Sequence, residues 1–305
     1  MALCIIGQEK SDTNIRILEE AKKKFDSVFL APIEMIRLGL DENFAITYRN
    51  SDLLKFDAVY PRIPSTHYSY AYQLLSLFPP ETFMPIKPIT FLLASERFFL
   101  LSVLRKRNIN TINIHLARSS KAAHGILEST KFPVIIRIPK KDTGIVVETL
   151  SEAKSVIDAL GSLKQTILIE DVVKDLVSVY VANPDFAVGV KKKSKEKDII
   201  FSHGEFKKQK LGVEIEHLAT EAAKSIDAQL ARVDISVGDE IGVANVNLTP
   251  DLVTAGKITG VNMVEKFVER IFENYQSHKE KPLLMKFFED AKSVMKDVLK
   301  DKHMP

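Results

Sequence analysis

Residues 231–248 read Ala231-Arg232-Val233-Asp234-Ile235-Ser236-Val237-Gly238-Asp239-Glu240-Ile241-Gly242-Val243-Ala244-Asn245-Val246-Asn247-Leu248. Apolar residues recur at every second position, which predicts strands over Ala231–Ser236 and Ile241–Leu248. Gly238-Asp239 supplies the turn chemistry between them. Side chains alternate across a strand, so Asn245 and Asn247 share one face, with Asp234 on the preceding strand. Three oxygen-bearing side chains thus gather on one hairpin. A plain polar strand face is the alternative to a metal site.

Outward from this hairpin the pattern stays mixed. Helices are expected over Val213–Asp227 before it and Val261–Tyr275 after it, with strands over Leu176–Ala182 and Phe186–Lys191 upstream. The run Lys191-Lys192-Lys193-Ser194-Lys195-Glu196-Lys197-Asp198 reads chiefly as a solvated segment ahead of Ile199–Phe201. A middle unit is expected to hold an apolar helix over Phe91–Arg107 whose basic end suits a helix C-terminus. It continues with strand Asn113–Ala117, helix Ser120–Ser129 capped by Ser119, and strand Pro133–Ile138. Strand Ile145–Glu148, helix Glu152–Leu160 and strand Thr166–Glu170 complete it. The first unit reads as strand Leu3–Ile6, helix Asn14–Phe25 and strand Val28–Ala31, then strands Phe44–Tyr48 and Ala58–Tyr60 and helix His67–Leu77. At the other end, Pro282 opens an amphipathic stretch with Leu284, Phe287, Phe288, Ala291, Val294, Met295 and Val298 on one face. It packs on its own domain or forms a subunit contact. The expected organisation is α/β throughout: residues 1–88, 89–175, 176–275 and a C-terminal helix over 276–305.

Composition narrows the function classes. At 305 residues the chain has room for two or three small lobes, and 45% hydrophobic with 27% charged residues is an ordinary globular balance. A net charge of +3 gives no footprint for nucleic acid. The opening run Met1–Gly7 is too short and not basic enough for a signal peptide, and no stretch has the length of a membrane span. One cysteine, Cys4, excludes an internal disulfide and a multi-cysteine metal site, and its apolar strand predicts a buried, inert thiol. A cytoplasmic protein is expected. No phosphate-binding P-loop, dinucleotide fingerprint or zinc-protease motif is present, and the seven histidines are scattered.

Taken in order, short segments from about Asp57 to Glu273 resemble the RimK-like branch of the ATP-grasp ligases. They begin at Asp57-Ala58-Val59-Tyr60-Pro61-Arg62-Ile63 and pass through Ala94-Ser95-Glu96-Arg97 and Phe132-Pro133-Val134-Ile135-Ile136-Arg137. They continue through Thr143-Gly144-Ile145 and Ile167-Leu168-Ile169-Glu170-Asp171-Val172-Val173 to Val233-Asp234-Ile235 and Asn245-Val246-Asn247. Thr249-Pro250 and Gly256-Lys257-Ile258-Thr259-Gly260 close the match.

The resemblance implies an ATP-grasp fold with an N-terminal α/β lobe, and an ATP site between lobes. Arg97 and Arg137 fall where the family places lysines on the ATP phosphates, and guanidinium suits phosphate. Lys140–Gly144 would cover the phosphates, Glu170, Asp171, Val172 and Val173 would line the adenine, and Asp175 would reach the ribose. Asp234, Asn245 and Asn247 stand at the family's Mg2+ positions, with Asn245 in place of a glutamate. Ile200 replaces an arginine beside the nucleotide, and Gly204-Glu205-Phe206-Lys207 replaces a His-Arg-Gly-Gly-like loop. The implied chemistry is phosphorylation of a carboxylate by ATP, then attack of an amino-acid amine on the acyl phosphate. The departures at Asn245 and Ile200 imply a rival, a nucleotide-binding regulatory or assembly subunit without ligase activity. The carboxylate and amino-acid substrates stay open, as does a homo-oligomer.

Overall fold

The computed structural model describes residues 1–40, 44–139, 144–173, 175–193, 205–238 and 240–281. The first lobe is β1 (Ala2–Gly7), α1 (Asp12–Ala21), β2 (Ser27–Pro32), β3 (Arg37–Leu40), β4 (Phe44–Tyr48), β5 (Ser51–Asp52), β6 (Ala58–Arg62) and α2 (Tyr68–Leu75). β1 is central in a parallel sheet of order β2-β1-β6, while β3, β4 and β5 form an antiparallel meander. Leu3, Cys4, Ile5 and Ile6 are all buried. A strand buried on both faces reads as a continuous apolar run. Burial pushes the Cys4 thiol well up, which fits an inert role.

The expected long helix Phe91–Arg107 is instead two: α3 (Pro88–Ala94) and α4 (Arg97–Lys106). Ser95 turns its hydroxyl back to the Leu92 carbonyl, and Glu96 takes an extended conformation ahead of α4. Apolar periodicity runs through the short break at Ser95-Glu96 without registering it. The break puts Arg97 at the first position of a helix. The basic end does fall at the helix C-terminus, with Arg105 and Lys106 in the last turn of α4. Arg105 reaches forward to bind the Thr111 and Ile112 carbonyls, at 2.8 and 3.1 Å, and fixes the next segment.

The middle sheet follows: β7 (Ile114–Ala117), α5 (Ser120–Leu127), β8 (Val134–Arg137), β9 (Gly144–Val147), α6 (Leu150–Ser162) and β10 (Ile167–Asp171), in antiparallel order β7-β10-β8-β9. Ser119 caps α5 by accepting from the Ala122 N–H, and Thr149 with Glu152 forms a reciprocal capping box on α6. This sheet has its own small core, which includes Val134, Ile136, Ile157 and Ile169. Helices α3 and α4 belong with the larger core, through Phe91, Leu100, Leu101 and Leu104.

The third unit is β11 (Leu176–Ala182), β12 (Phe186–Lys193), β13 (Glu205–Gln209), α7 (Val213–Ser225), β14 (Leu230–Val237), β15 (Ile241–Asn247), α8 (Leu252–Thr259) and α9 (Met263–Glu280). Its antiparallel sheet runs β13-β12-β11-β14-β15. Strand β13 and helix α8 were not anticipated. Asp251 caps α8 and Gly260 ends it with φ 69°, a left-handed turn that glycine adopts readily. Thr249 Oγ1 donates to the Ile63 carbonyl at 2.6 Å and Arg62 Nη2 to the Pro250 carbonyl at 2.8 Å. Thr90 Oγ1 donates to the Ile226 carbonyl. These bonds and one continuous apolar core join the first lobe and helix α3 to the third unit. Ile200, Gly204 and the amphipathic stretch after Pro282 lie outside the described residues.

Candidate functional site

Two buried carboxylates organise the polar residues singled out from the sequence. The first is Glu170 on β10, whose side chain has no exposed surface. Glu170 sits opposite Ile135 of β8, and Arg137 opposite Leu168, so Glu170 and Arg137 are diagonal neighbours on one sheet face. Arg137 Nη2 lies 2.5 Å from Glu170 Oε1. From the other side Arg97, first in α4, donates through Nε to Glu170 Oε2 at 2.7 Å. Two guanidiniums share one carboxylate. Both arginines keep some exposure, 20% of the side chain for Arg97 and 9% for Arg137.

Gly144 belongs to this cluster. It pairs with Arg137 across β8 and β9. A Cβ there would lie 2.6 Å from Ile135 Cγ2 and 3.4 Å from Arg137 Nε, so the missing side chain gives the guanidinium stem its room. Residues 140–143 of the expected covering loop lie outside the described residues. The chain then leaves β10 through Asp171, which accepts from the Asn113 side chain at 2.9 Å, and through half-buried Val172 and Val173. Asp175 is exposed and lies 3.1 Å from Lys191 Nζ. The structure therefore gathers Arg97, Arg137, Gly144 and Glu170. It ties Asp171 and Asp175 to separate partners along the link between the two sheets.

The second carboxylate is Asp234 on β14, also without exposed surface. Register places Ser178, Asp234 and Asn245 side by side across β11, β14 and β15, and Tyr180, Arg232 and Asn247 in the next row on the same face. Ser178 Oγ donates to Asp234 Oδ1 at 2.6 Å, and Arg232 Nη2 donates to Oδ2 at 3.0 Å. Asn245 Nδ2 reaches the same Oδ2 at 3.4 Å, and Arg232 Nε lies 2.9 Å from Oδ1. Asn247 turns its side-chain oxygen to the Thr249 N–H at 2.7 Å, an Asx turn leading into α8. Burial alone would lower the Arg232 pKa, but Asp234 and Tyr180 together more than offset it and hold the guanidinium above its ordinary value.

This arrangement bears on the expected metal positions. Mg2+ wants hard oxygen ligands, with one or two carboxylates facing it. Here the one carboxylate is neutralised by Arg232, the amide of Asn245 points a donor at it, and Asn247 serves a turn. The net charge of the four groups is zero, so they do not fit a protein-held Mg2+. Nor does Asp251 replace the missing acid. It accepts from the Val253 and Thr254 N–H groups and from the hydroxyls of Thr254 and Thr13. Among the described residues no group of three or more His, Cys, Asp or Glu side chains is placed to hold a metal. Sequence reasoning missed Arg232 and Ser178. Arg232 was within reach, because a residue two positions from Asp234 on a strand must share its face.

Comparison with known proteins follows the same lines. A family profile described as RimK-like ATP-grasp domain matches residues 94–271, more than half of the chain. A protein of Picosynechococcus sp. named "Probable alpha-L-glutamate ligase" is 26% identical over 294 residues, covering 90% of this chain and 96% of its own length. The solved ATP-grasp ligase PsnB, complexed with a precursor variant, Mg and ADP, superposes with a TM-score of 0.71 at 12% identity, over 90% of this chain and 98% of that one. A RimK domain ATP-grasp protein from Sphaerobacter thermophilus gives 0.66 at 15% identity, over 89% and 99%. At such identities these two likenesses bear on the fold. No helix among the described residues is long and apolar enough to cross a membrane.

Proposed function

The chain belongs to the RimK-like ATP-grasp family, and from that premise we propose that it is an ATP-dependent carboxylate–amine ligase working through an acyl phosphate. The observation that carries the nucleotide part is the pair of partly exposed guanidiniums gathered at Glu170. One buried carboxylate holds Arg97 and Arg137 in place from two different elements. The donors of two guanidiniums suit a polyphosphate. The segment Glu170 to Val173 leaves its strand beside them, where backbone groups serve the adenine edge and Asp175 the ribose.

In the reaction a carboxylate oxygen attacks the γ-phosphorus of ATP, the bond to the bridging oxygen breaks, and ADP leaves. The substrate amine then attacks the acyl carbon, loses a proton and displaces phosphate. This chain's part is positioning and neutralisation of phosphate charge by Arg97 and Arg137. Glu170 prevents the two cations from separating. No side-chain nucleophile is required. In the family Mg2+ accompanies the phosphates and offsets their charge, and no step here is assigned to a metal held by the protein.

The relatives' names make L-glutamate the first amine to try. Phosphate release from ATP should rise only when a carboxylate acceptor and an amino acid are both present. Nucleotide binding with flat phosphate release across such a panel would instead favour the second reading, a nucleotide-binding subunit without ligase activity. The Arg232–Asp234 pair is the observation on its side.

A further inference from the structure

We infer that Arg232 is a built-in replacement for the divalent cation on the third-unit sheet, so that this chain binds adenine nucleotide without help from a protein-held metal. The inference rests on the nucleotide-binding reading above and adds to it a property of the site. Three features carry it.

Asp234 is saturated and fully buried: its two oxygens face Ser178, Asn245 and both Nε and Nη2 of Arg232. A cation entering here would have to displace a guanidinium from a buried ion pair, and breaking such a pair is strongly unfavourable. Charge points the same way. With Asn245 and Asn247 neutral, Arg232 and Asp234 sum to zero, and a divalent ion gains nothing from a neutral set whose cation is already in place. Third, the nearby acid that might have restored the balance, Asp251, is bound as the cap of α8. Arg232 nevertheless keeps 18% of its side-chain surface. It therefore sits as a positive group on the sheet face where the family directs a metal's charge.

The test is calorimetric titration of wild-type protein with ATP and with a non-hydrolysable ATP analogue, in excess EDTA and in millimolar Mg2+. Affinities equal within about threefold are expected. Tightening by about tenfold or more in Mg2+ would overturn the inference while leaving nucleotide binding intact. No binding in either buffer would remove the nucleotide reading itself, and this inference with it. A second arm uses Mn2+ as a paramagnetic probe without nucleotide. Wild type should hold no Mn2+ at micromolar concentration. The double variant Arg232→Ala/Asn245→Glu, which frees Asp234 and adds a second carboxylate, should acquire one bound ion. Tight Mn2+ binding by wild type, or a folded double variant that binds none, would contradict the role given to Arg232. If the double variant fails to fold, the wild-type titrations still decide.

Discussion

Glu170 and Asp234 are both buried carboxylates on antiparallel sheets, and both meet arginine, but in opposite proportions. Glu170 faces two guanidiniums that approach from different elements, one on a neighbouring strand and one at a helix start. Asp234 faces one, from its own strand, together with a serine and an asparagine. The first cluster brings two partly exposed arginines to one carboxylate. The second is closed on itself. A buried ion pair is weak evidence for stability, since desolvation offsets most of the attraction. What the comparison teaches is that the number of guanidiniums converging on one carboxylate, more than the presence of a pair, separates the two clusters.

The largest effect should come from Glu170→Gln. Two guanidiniums would then lose the buried carboxylate they share, and stability should fall by about 3–5 kcal/mol. Urea unfolding checks this, and added ATP should recover part of the loss by supplying negative charge. Were ATP to give the variant no more protection than it gives wild type, the comparison between the two clusters would break. Arg137→Ala comes next. It leaves Glu170 paired with Arg97 and removes one charged contact to phosphate, worth about 1.5–3 kcal/mol, so ATP affinity should weaken roughly tenfold to a hundredfold. Titration calorimetry measures it, with exposed Lys154→Ala as a control that should change nothing.

Gly144→Ala sharpens the comparison at one atom. The new Cβ would press on Ile135 and the Arg137 side chain, and over-packing of this kind costs about 1–3 kcal/mol. Thermal unfolding should register the loss, with weaker ATP binding alongside it. Unchanged stability would mean that β9 gives way and that Arg137 is less confined than its contacts indicate.

The smallest effect concerns Asp251. Burial opposes its charge, but bonds from Thr254, Thr13 and Val253 outweigh burial and hold its carboxyl below the ordinary value. A depressed folded-state pKa contributes stability above the unfolded value, near pH 4, and that contribution is lost as pH falls through the folded value. Asp251→Asn, still a good cap, should flatten this part of the acid loss in urea midpoints taken from pH 5 to pH 3. It should leave the Mg2+ response of ATP binding untouched. A changed Mg2+ response would return Asp251 to the list of metal ligands.

Much of the architecture was legible because it is written in period two and in caps. The alternation across residues 231–248, the Ser119 cap and the buried run Leu3–Ile6 each name their element directly. The break at Ser95-Glu96 was not legible, because two helices on one apolar stripe look like one. Helix α8 was hidden because Thr249-Pro250-Asp251 reads as a loop until Asp251 is seen to cap it. At the site, Arg97, Arg137 and Glu170 were each singled out, yet their mutual pairing depends on strand register and on the helix break. Asp234 and Asn245 were placed on adjacent strands correctly. Arg232 shares their face by the same rule, and its charge decides what that face can hold.

The most direct test is ATP titration of three proteins side by side: wild type, Arg97→Met/Arg137→Met, and the exposed-site control Lys154→Ala. If the Glu170 cluster is the phosphate receptor, wild type and Lys154→Ala bind alike, while the double variant, folded by circular dichroism, loses binding by at least about a hundredfold. Equal affinity in wild type and the double variant would contradict it and put the nucleotide elsewhere.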